Sequence, residues 1–260
     1  MYAERVFLFW ALAVRACYAH NVPPHSRDDA STAVASYARL LSLASHEFRT
    51  PASVVGGYLR MLVRDTDSAL SERQRHMVEE AEKSCGRIVG LLGEMSELAR
   101  LDSGTAVFAS APFDAFAAIG ELAPSVLESS ERGVHLDVRG PGSGATLVGD
   151  AARIRDAFAA LFRAVLREQP ASCRVAVDRR LTAGRASVAI AHEQELDQVW
   201  SAKPGPFNEL RGGLGLALPI ARRVIERHGG GVASVNVPHP ATPSSSAGAI
   251  LVTFELEPRL

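Results

Sequence analysis

Apolar residues recur at every third or fourth position over two long stretches of the first hundred residues. In the first stretch they stand at positions 41, 44, 48, 52, 55, 59 and 62, and in the second at 78, 81, 85, 88, 92, 95 and 99. This spacing places apolar side chains along one face of an α-helix. A polar break at residues 64–71 separates the stretches, and Ser71 opens a capping box with Gln74. The pattern predicts a helical hairpin over residues 29–104.

A single hairpin of this kind buries little apolar surface, because each helix carries only one apolar stripe. Pairing of two hairpins into a four-helix bundle covers both stripes at once. We therefore expect a homodimer.

After residue 104 the pattern changes to short strand-like runs that alternate with helical segments. We predict helices at residues 113–131, 151–168 and 216–228, and strands at 135–138, 174–178, 186–191, 232–237 and 249–256. Glycines at 229–231 are typical of a helix end, and residues 242–248 are typical of a flexible loop. Residues 105–260 are thus expected to form a layered domain, and the chain as a whole belongs to the α+β class.

Residues 1–28 are interpreted as an apolar segment followed by a linker. The apolar run VFLFWALAV at residues 6–14 is far shorter than the roughly 20 residues that span a bilayer. It is predicted to be a packed or membrane-touching helix, and the alternative is a signal peptide with a weakly charged beginning. Two prolines in residues 21–29 indicate the linker.

The charge of the chain bears on its partners, and its cysteine content bears on its location. The 260 residues include 28 Lys and Arg and 29 Asp and Glu, for a formal net charge of −1, so a nucleic-acid partner is not expected. The three cysteines lack the spacing of a metal site or a disulfide framework, which favours a reducing, cytoplasmic location.

The run SHEFRTP at residues 45–51 carries the clearest chemistry. His46 lies two residues beyond the core position Ala44, about 200° around the helix, so its ring is expected in solvent. Thr50 shares that face, and Arg49 shares it approximately. An exposed neutral imidazole beside the Glu47 carboxylate is a competent nucleophile toward phosphorus, because the carboxylate can hold one ring proton while the other nitrogen attacks.

This run resembles the phosphoacceptor motif of the sensor histidine kinase family, and residues 99–104 (ARLDSG) are similar to the phrase that closes the family's second helix. The resemblance implies a dimeric two-helix hairpin. It also implies that His46 is the phosphorylated residue, that Glu47 is its acid/base partner, and that Thr50 positions the water that removes phosphate from a receiver domain. The alternative for an isolated histidine is an incidental surface position.

Residues 105–260 resemble the family's ATP-binding domain, an α/β sandwich. Residues 212–218 (GGLGLAL) and the helix after them are similar to its second glycine box. Glycines before a helix let backbone N–H groups approach phosphate oxygens. The candidate nucleotide-binding residues are therefore Gly213, Gly215 and Arg167. A dinucleotide-binding fingerprint fits less well, because Leu218 stands where its third glycine belongs.

The other nucleotide boxes of the family are degenerate in this sequence. Ala160 and Ala164 stand where the family has two asparagines, the second of which holds Mg²⁺, and an alanine methyl cannot ligate this cation. Residues 191–195 (AHEQE) lack the glycines and the adenine-recognising aspartate of the first glycine box, for which Glu193 is the available substitute. The segment at 196–211, where the family has its ATP lid, is short. The glycine-rich segment is therefore expected to maintain the fold, and neither ATP nor Mg²⁺ is expected as a cofactor.

These features predict a two-component protein that relays a phosphoryl group through His46 to or from the aspartate of a response-regulator receiver domain. It would resemble histidine phosphotransferases derived from kinases, with weak or absent autophosphorylation and an upstream histidine kinase as a candidate donor. One alternative is an active, ATP-dependent kinase with divergent boxes. The other is a non-catalytic protein that binds a kinase or a receiver.

Overall fold

The computed structural model describes residues 27–65, 70–126, 132–237 and 248–256, and within them the side chains from residue 36 onward. The chain divides into two compact units, residues 1–37 and 38–260. The expectations for the apolar run at residues 6–14, for most of the linker and for the loop at 242–248 lie outside the described residues. None of the described helices is long and apolar enough to cross a membrane.

Two long helices, α1 (Arg27–Arg64) and α2 (Glu72–Asp102), form the predicted hairpin. The predicted capping box is present at the beginning of α2. The Ser71 hydroxyl accepts a hydrogen bond from the Gln74 N–H at 3.4 Å, and the Gln74 side chain accepts one from the Ser71 N–H at 3.0 Å. Helix α1 continues through Pro51 to its end at Arg64.

One chain covers its apolar stripes only in part. On α2 the side chains of Cys85, Leu92 and Ala99 are buried. On α1 the side chains of Phe48 and Val55 remain 48% and 53% exposed. The hairpin of one chain therefore leaves apolar surface uncovered.

The part of the chain that follows α2 is called the second domain below. A mixed five-stranded sheet forms its centre. Its strands, in the spatial order β2-β4-β5-β7-β6, are β2 (His135–Arg139), β4 (Arg174–Thr182), β5 (Arg185–His192), β7 (Ala249–Glu255) and β6 (Gly230–Val235). Strands β2 and β4 are parallel and the other neighbours are antiparallel. A separate antiparallel pair consists of β1 (Ala111–Asp114) and β3 (Thr146–Gly149).

The core of this domain lies between the sheet and three helices, α3 (Ala115–Leu122), α4 (Ala151–Glu168) and α6 (Ala217–Arg227). Phe158 and Phe162 of α4 are completely buried against strand residues such as Phe254. The short helix α5 (Leu196–Ser201) packs its own apolar residues on strand positions of the other parity, which face the opposite side of the sheet. The predicted fold class, a helical hairpin followed by an α/β sheet domain, is confirmed.

The predicted helix at 113–131 was wrong at its beginning and too long, because α3 ends at Leu122 and a 3-10 turn follows at Ala123–Ser125; residues 127–131 lie outside the described residues. Phe113 and Asp114 belong to β1, and the Asp114 carboxylate accepts hydrogen bonds from the Phe116 and Ala117 N–H groups at 2.9 and 3.1 Å. Asp114 is thus the N-cap, and α3 begins after it. The short strands β1 and β3 were not predicted, because four-residue strands carry little periodic signal.

The strand predicted at 232–237 begins and ends two residues earlier, as β6. A Cβ atom on Gly230 would lie 2.6 Å from the Phe254 ring and 2.8 Å from the Ile225 side chain. Glycine is therefore used here for close packing within the strand, and the turn after α6 is made by Gly229, with φ of +72°.

Candidate functional site

His46 lies on α1 with its side chain 78% exposed, as its helical position predicts. Its Nδ1 atom lies 3.7 Å from the nearest carboxylate oxygen of Glu47, whose side chain is 72% exposed. This distance is longer than a hydrogen bond, and an exposed ion pair contributes little stability. The geometry therefore leaves a ring that an incoming partner can reach, with a carboxylate close enough to share its proton after a small side-chain rotation.

The orientation of His46 follows from the residue before it. Ser45 is completely buried, and its hydroxyl donates a hydrogen bond to the Leu41 carbonyl at 2.7 Å, one helical turn earlier. A residue one position further along a helix is rotated by about 100°, which turns His46 away from the hairpin interior. The apolar pattern placed Ala44 in the core, but the most deeply buried neighbour is Ser45.

Thr50 and Arg49, one turn along α1, differ in orientation. Thr50 is exposed, in agreement with its predicted place near His46. Arg49 instead reaches across to α2, where one guanidinium nitrogen lies 3.4 Å from both the Leu92 carbonyl and the Ser96 hydroxyl. The expectation that Arg49 shares the face of His46 was therefore wrong, because its long side chain finds acceptors on the neighbouring helix.

The glycine-rich segment adopts backbone conformations that favour glycine. Gly212, Gly213 and Gly215 have φ values of +68°, +60° and +61°. One guanidinium nitrogen of Arg167 lies 3.5 Å from the carbonyls of both Gly212 and Gly213. The structure thus brings the predicted residues Arg167 and Gly213 together, because the Arg167 side chain contacts the backbone of the glycine-rich segment.

The segment also packs directly onto α4 at Ala164, where the resemblance places the family's metal-holding asparagine. Ala164 is completely buried, and a Cβ atom on Gly212 would lie only 2.8 Å from the Ala164 Cα atom. The Glu168 carboxylate, one turn further, accepts a hydrogen bond from the Gly212 N–H at 3.0 Å and forms an ion pair with Arg211. The residues present do not fit Mg²⁺ here, because Ala164 offers no oxygen and the loop backbone covers it.

Two glutamates of the turn after β5 are held by the protein itself. Glu193, considered above as a substitute acceptor, forms an ion pair with Arg139 of β2. Glu195 is completely buried, and neither of its carboxylate oxygens has a hydrogen-bond partner. Burial raises the pKa of Glu195 to about 7. The position of the second glycine of the family's box therefore holds a buried side chain.

Three carboxylates near the end of α2 contact the second domain, and the sequence analysis did not identify them. Glu94 accepts a hydrogen bond from the Leu216 N–H at 3.0 Å, Glu97 forms an ion pair with Arg153, and an Asp102 oxygen lies 2.6 Å from Arg223 Nε. These partners are separated by 56 to 122 positions in the chain. No local pattern indicates such pairs, because they depend on how the two domains pack.

Comparison with known proteins agrees with this arrangement. The family model for the His Kinase A (phospho-acceptor) domain matches residues 36–104, which include His46. The sensor histidine kinase GacS of Pseudomonas protegens is 25% identical over an alignment of 233 positions, which covers 82% of this chain and 24% of GacS. The chain thus spans about a quarter of the length of this relative.

Two solved structures show the same fold. Full-length ShkA in complex with AMPPNP matches with a TM-score of 0.60 and 20% identity, over 85% of this chain and 47% of ShkA. The histidine kinase ThkA in complex with the response regulator TrrA matches with a TM-score of 0.50 and 14% identity, over 84% of this chain and 61% of the ThkA chain. Residues 36–104 therefore carry a His Kinase A (phospho-acceptor) domain, and the chain is homologous to sensor histidine kinases.

Proposed function

We propose that this protein relays a phosphoryl group through His46 to or from the aspartate of a response-regulator receiver domain. The observation that carries the proposal is the exposed imidazole of His46 beside the Glu47 carboxylate, within a matched phospho-acceptor domain. The ThkA complex with TrrA supports a receiver as the partner by analogy.

The proposed transfer uses the two ring nitrogens differently. Glu47 lies on the Nδ1 side of the ring, 3.7 Å away. After a small rotation its carboxylate accepts a hydrogen bond from the proton on Nδ1, which leaves the Nε2 lone pair free to attack. When the receiver is the donor, the bond between Nε2 and phosphorus forms while the bond between phosphorus and the aspartate oxygen breaks. The aspartate then leaves as a carboxylate.

ATP is not the phosphate source in this proposal. Ala160 and Ala164 supply no oxygen ligand, and the backbone of Gly212 covers the second of them. Glu193 is engaged with Arg139, and Glu195 lies in the core. Phosphoryl transfer depends on positioning and on neutralising charge, so losses at the metal and adenine positions together predict weak or absent autophosphorylation. An upstream histidine kinase, acting through a receiver, is then the initial donor.

The proposed relay is a homodimer in the cytoplasm. The two hairpin helices leave large apolar side chains more than 40% exposed, and a second hairpin would cover them. These residues are Leu40, Leu43, Phe48, Val54, Val55, Tyr58, Met61, Leu62, Met77, Ile88 and Leu91.

Three variants test the assigned roles with a phosphorylated receiver as donor. His46→Ala should abolish acid-labile labelling of the protein. Glu47→Ala should slow labelling by roughly 10²- to 10⁴-fold, the usual contribution of a positioned acid/base group. Thr50→Ala should retain labelling but slow the loss of phosphate from the receiver. Equal labelling of the wild type and of His46→Ala would overturn the assignment of His46.

A further inference from the structure

The turn between β5 and α5 carries a carboxylate without a partner. Glu195, the last residue of this 3-10 turn, is completely buried, and neither of its oxygens has a hydrogen-bond partner among the described residues. An ionised carboxylate loses its hydration in such a place and gains no hydrogen bond in return, whereas the protonated group is neutral and costs much less to bury. Ionisation of Glu195 therefore favours a conformation in which the turn is open to water.

The charges around the turn do not compensate for this burial. The turn contacts β4, and α5 contacts β5. The titratable and charged side chains of these elements either interact with other groups or lie exposed. They are Glu193 (with Arg139), Asp178 (with Arg180), Arg179 (with backbone carbonyls), Arg185 (with Glu255), His192 (with the Gln194 N–H), and the exposed Arg174 and Asp197. Burial alone raises the pKa of Glu195 to about 7.

Helix α5, which follows the turn, is held by few side chains. Leu196 and Val199 pack in a small apolar cluster that is separate from the main core and otherwise consists of alanines and valines. The Trp200 Nε1–H donates a hydrogen bond to Asp178 at 2.9 Å, and the Arg180 guanidinium lies 4.2 Å from the centre of the Trp200 ring. An element with so few apolar contacts opens at a lower free energy than the strands of the main core.

We propose that Glu195 and α5 form a proton-dependent switch on the side of the sheet that α5 covers. In this switch α5 is held while Glu195 carries its proton, and it detaches more often when Glu195 ionises. The turn and the helix are directly joined, because α5 begins at Leu196. Exposure of the carboxylate therefore moves the first residue of α5 away from the apolar cluster. The switch does not depend on phosphoryl transfer at His46.

The direction of the effect follows from the two environments of Glu195. In the detached state the carboxyl group lies in water with its ordinary pKa of 4.5, and in the docked state its pKa is about 7. The helix is therefore held most firmly below pH 4.5, and the hold weakens as the pH rises through about 7. Counting the bound protons in each state, the ratio of docked to detached α5 should fall about 30-fold between pH 5.5 and pH 8.5.

Hydrogen exchange of the Ala202 amide measures this equilibrium. The Ala202 N–H donates to the Gln198 carbonyl at 2.9 Å while the end of α5 is folded, and a detached helix of six residues does not persist in water. The protection factor of this amide, which is corrected for the pH dependence of intrinsic exchange, should fall about 30-fold from pH 5.5 to pH 8.5 in the full chain.

Variants separate Glu195 from the other titrating groups. Glu195→Gln keeps the shape of the side chain and should give Ala202 the same protection factor at both pH values. Glu195→Leu provides the same comparison if the glutamine variant does not fold. The matched control is Asp197→Asn, two positions away and exposed, which should retain the full decrease. Protonation of His192 would remove the acceptor of the Gln194 N–H and loosen the turn on acidification, which is the opposite direction.

Three results would overturn the switch. A protection factor of Ala202 that does not change with pH in the wild type would show that Glu195 does not control α5. An equal decrease in the wild type and in Glu195→Gln would show that another group titrates. Equal protection of Ala202 and of Val188 in the central strand β5 at each pH would show that α5 opens only when the whole sheet unfolds.

Discussion

Glu195 gives a quantitative test of the packing around the turn that follows β5. The residue lies in the 3-10 turn Glu193–Glu195 after β5, where it is completely buried and both carboxylate oxygens lack hydrogen bonds. Burial without a partner disfavours the charged form and raises the pKa from 4.5 to about 7. Replacement by glutamine keeps the shape and removes the titration.

The sign of the effect follows from the higher pKa in the folded state. The folded protein binds this proton more tightly than the unfolded chain, so the stabilisation is fully present below pH 4.5 and is lost as the pH rises through about 7. At about 1.4 kcal/mol per pH unit, that interval corresponds to a loss of about 3 kcal/mol in the free energy of unfolding. The Glu195→Gln variant should not show this loss.

Urea unfolding at pH 5 and pH 8.5, at equal protein concentration, measures the difference. A buried glutamine amide has its own cost, but that cost is the same at both pH values and cancels in the comparison. Relative to the wild type, the variant should gain about 2 to 3 kcal/mol of stability between the lower and the higher pH. Asp197→Asn, an exposed neighbour, controls for the general effect of removing a negative charge. A difference between wild type and Glu195→Gln that is the same at both pH values would refute the reasoning.

Three further predictions follow from the fold and its contacts. Ile88 is 52% exposed and should control assembly, so Ile88→Glu should give folded monomers by light scattering. Leu92 is buried and should control folding, so Leu92→Ala should lower the free energy of unfolding in urea by about 2 to 5 kcal/mol. Gly230→Ala should reduce the melting temperature, because its methyl group would meet the Phe254 ring at 2.6 Å. The lowered pKa of Glu97 means that its stabilisation is present above the usual carboxyl pKa and is lost as the pH falls below it. Glu97→Gln should therefore reduce stability near neutral pH and flatten its acid dependence, as measured by thermal melts between pH 3 and 7.

Local sequence signals predicted the helical elements well where they were strong. The capping box at Ser71 and the three/four spacing located α2, and the glycine run located the end of α6 near its observed residue Arg227. The same signals failed at Asp114, whose side chain is an N-cap that separates a short strand from a helix. The strand at Gly230 was shifted because a glycine can indicate a turn or a close contact, and only the position of Phe254 decides between them.

The same distinction applies to the candidate site, where some features follow from the local sequence and others depend on contacts between helices. The exposure of His46 could be predicted because helical geometry alone sets it. The direction of Arg49 could not, because acceptors on α2 determine it. Likewise, Ala164 indicates the loss of a metal ligand in the sequence, but only the structure shows that Gly212 packs against it. The contacts of Glu94, Glu97 and Asp102 depend entirely on how the second domain packs on α2.

Calorimetry measures directly whether the protein binds ATP. Because Ala164 supplies no metal ligand and Glu195 lies in the core, Mg²⁺ with ATP should give no saturable heat in the micromolar range. A saturable, Mg²⁺-dependent signal in that range would favour the active-kinase alternative.

The most direct test of the relay compares two phosphate donors on the same residue. The full chain is incubated with labelled ATP and Mg²⁺ and, separately, with labelled phosphorylated receiver domains, and acid-labile phosphate is measured on the wild type and on His46→Ala. A histidine phosphotransferase that exchanges phosphate with the same receivers serves as the positive control. Label from a receiver is expected on the wild type alone, and little or none is expected from ATP. Rapid labelling of His46 by ATP would contradict this expectation in favour of an active kinase, and no labelling from any receiver that labels the control would contradict the relay itself.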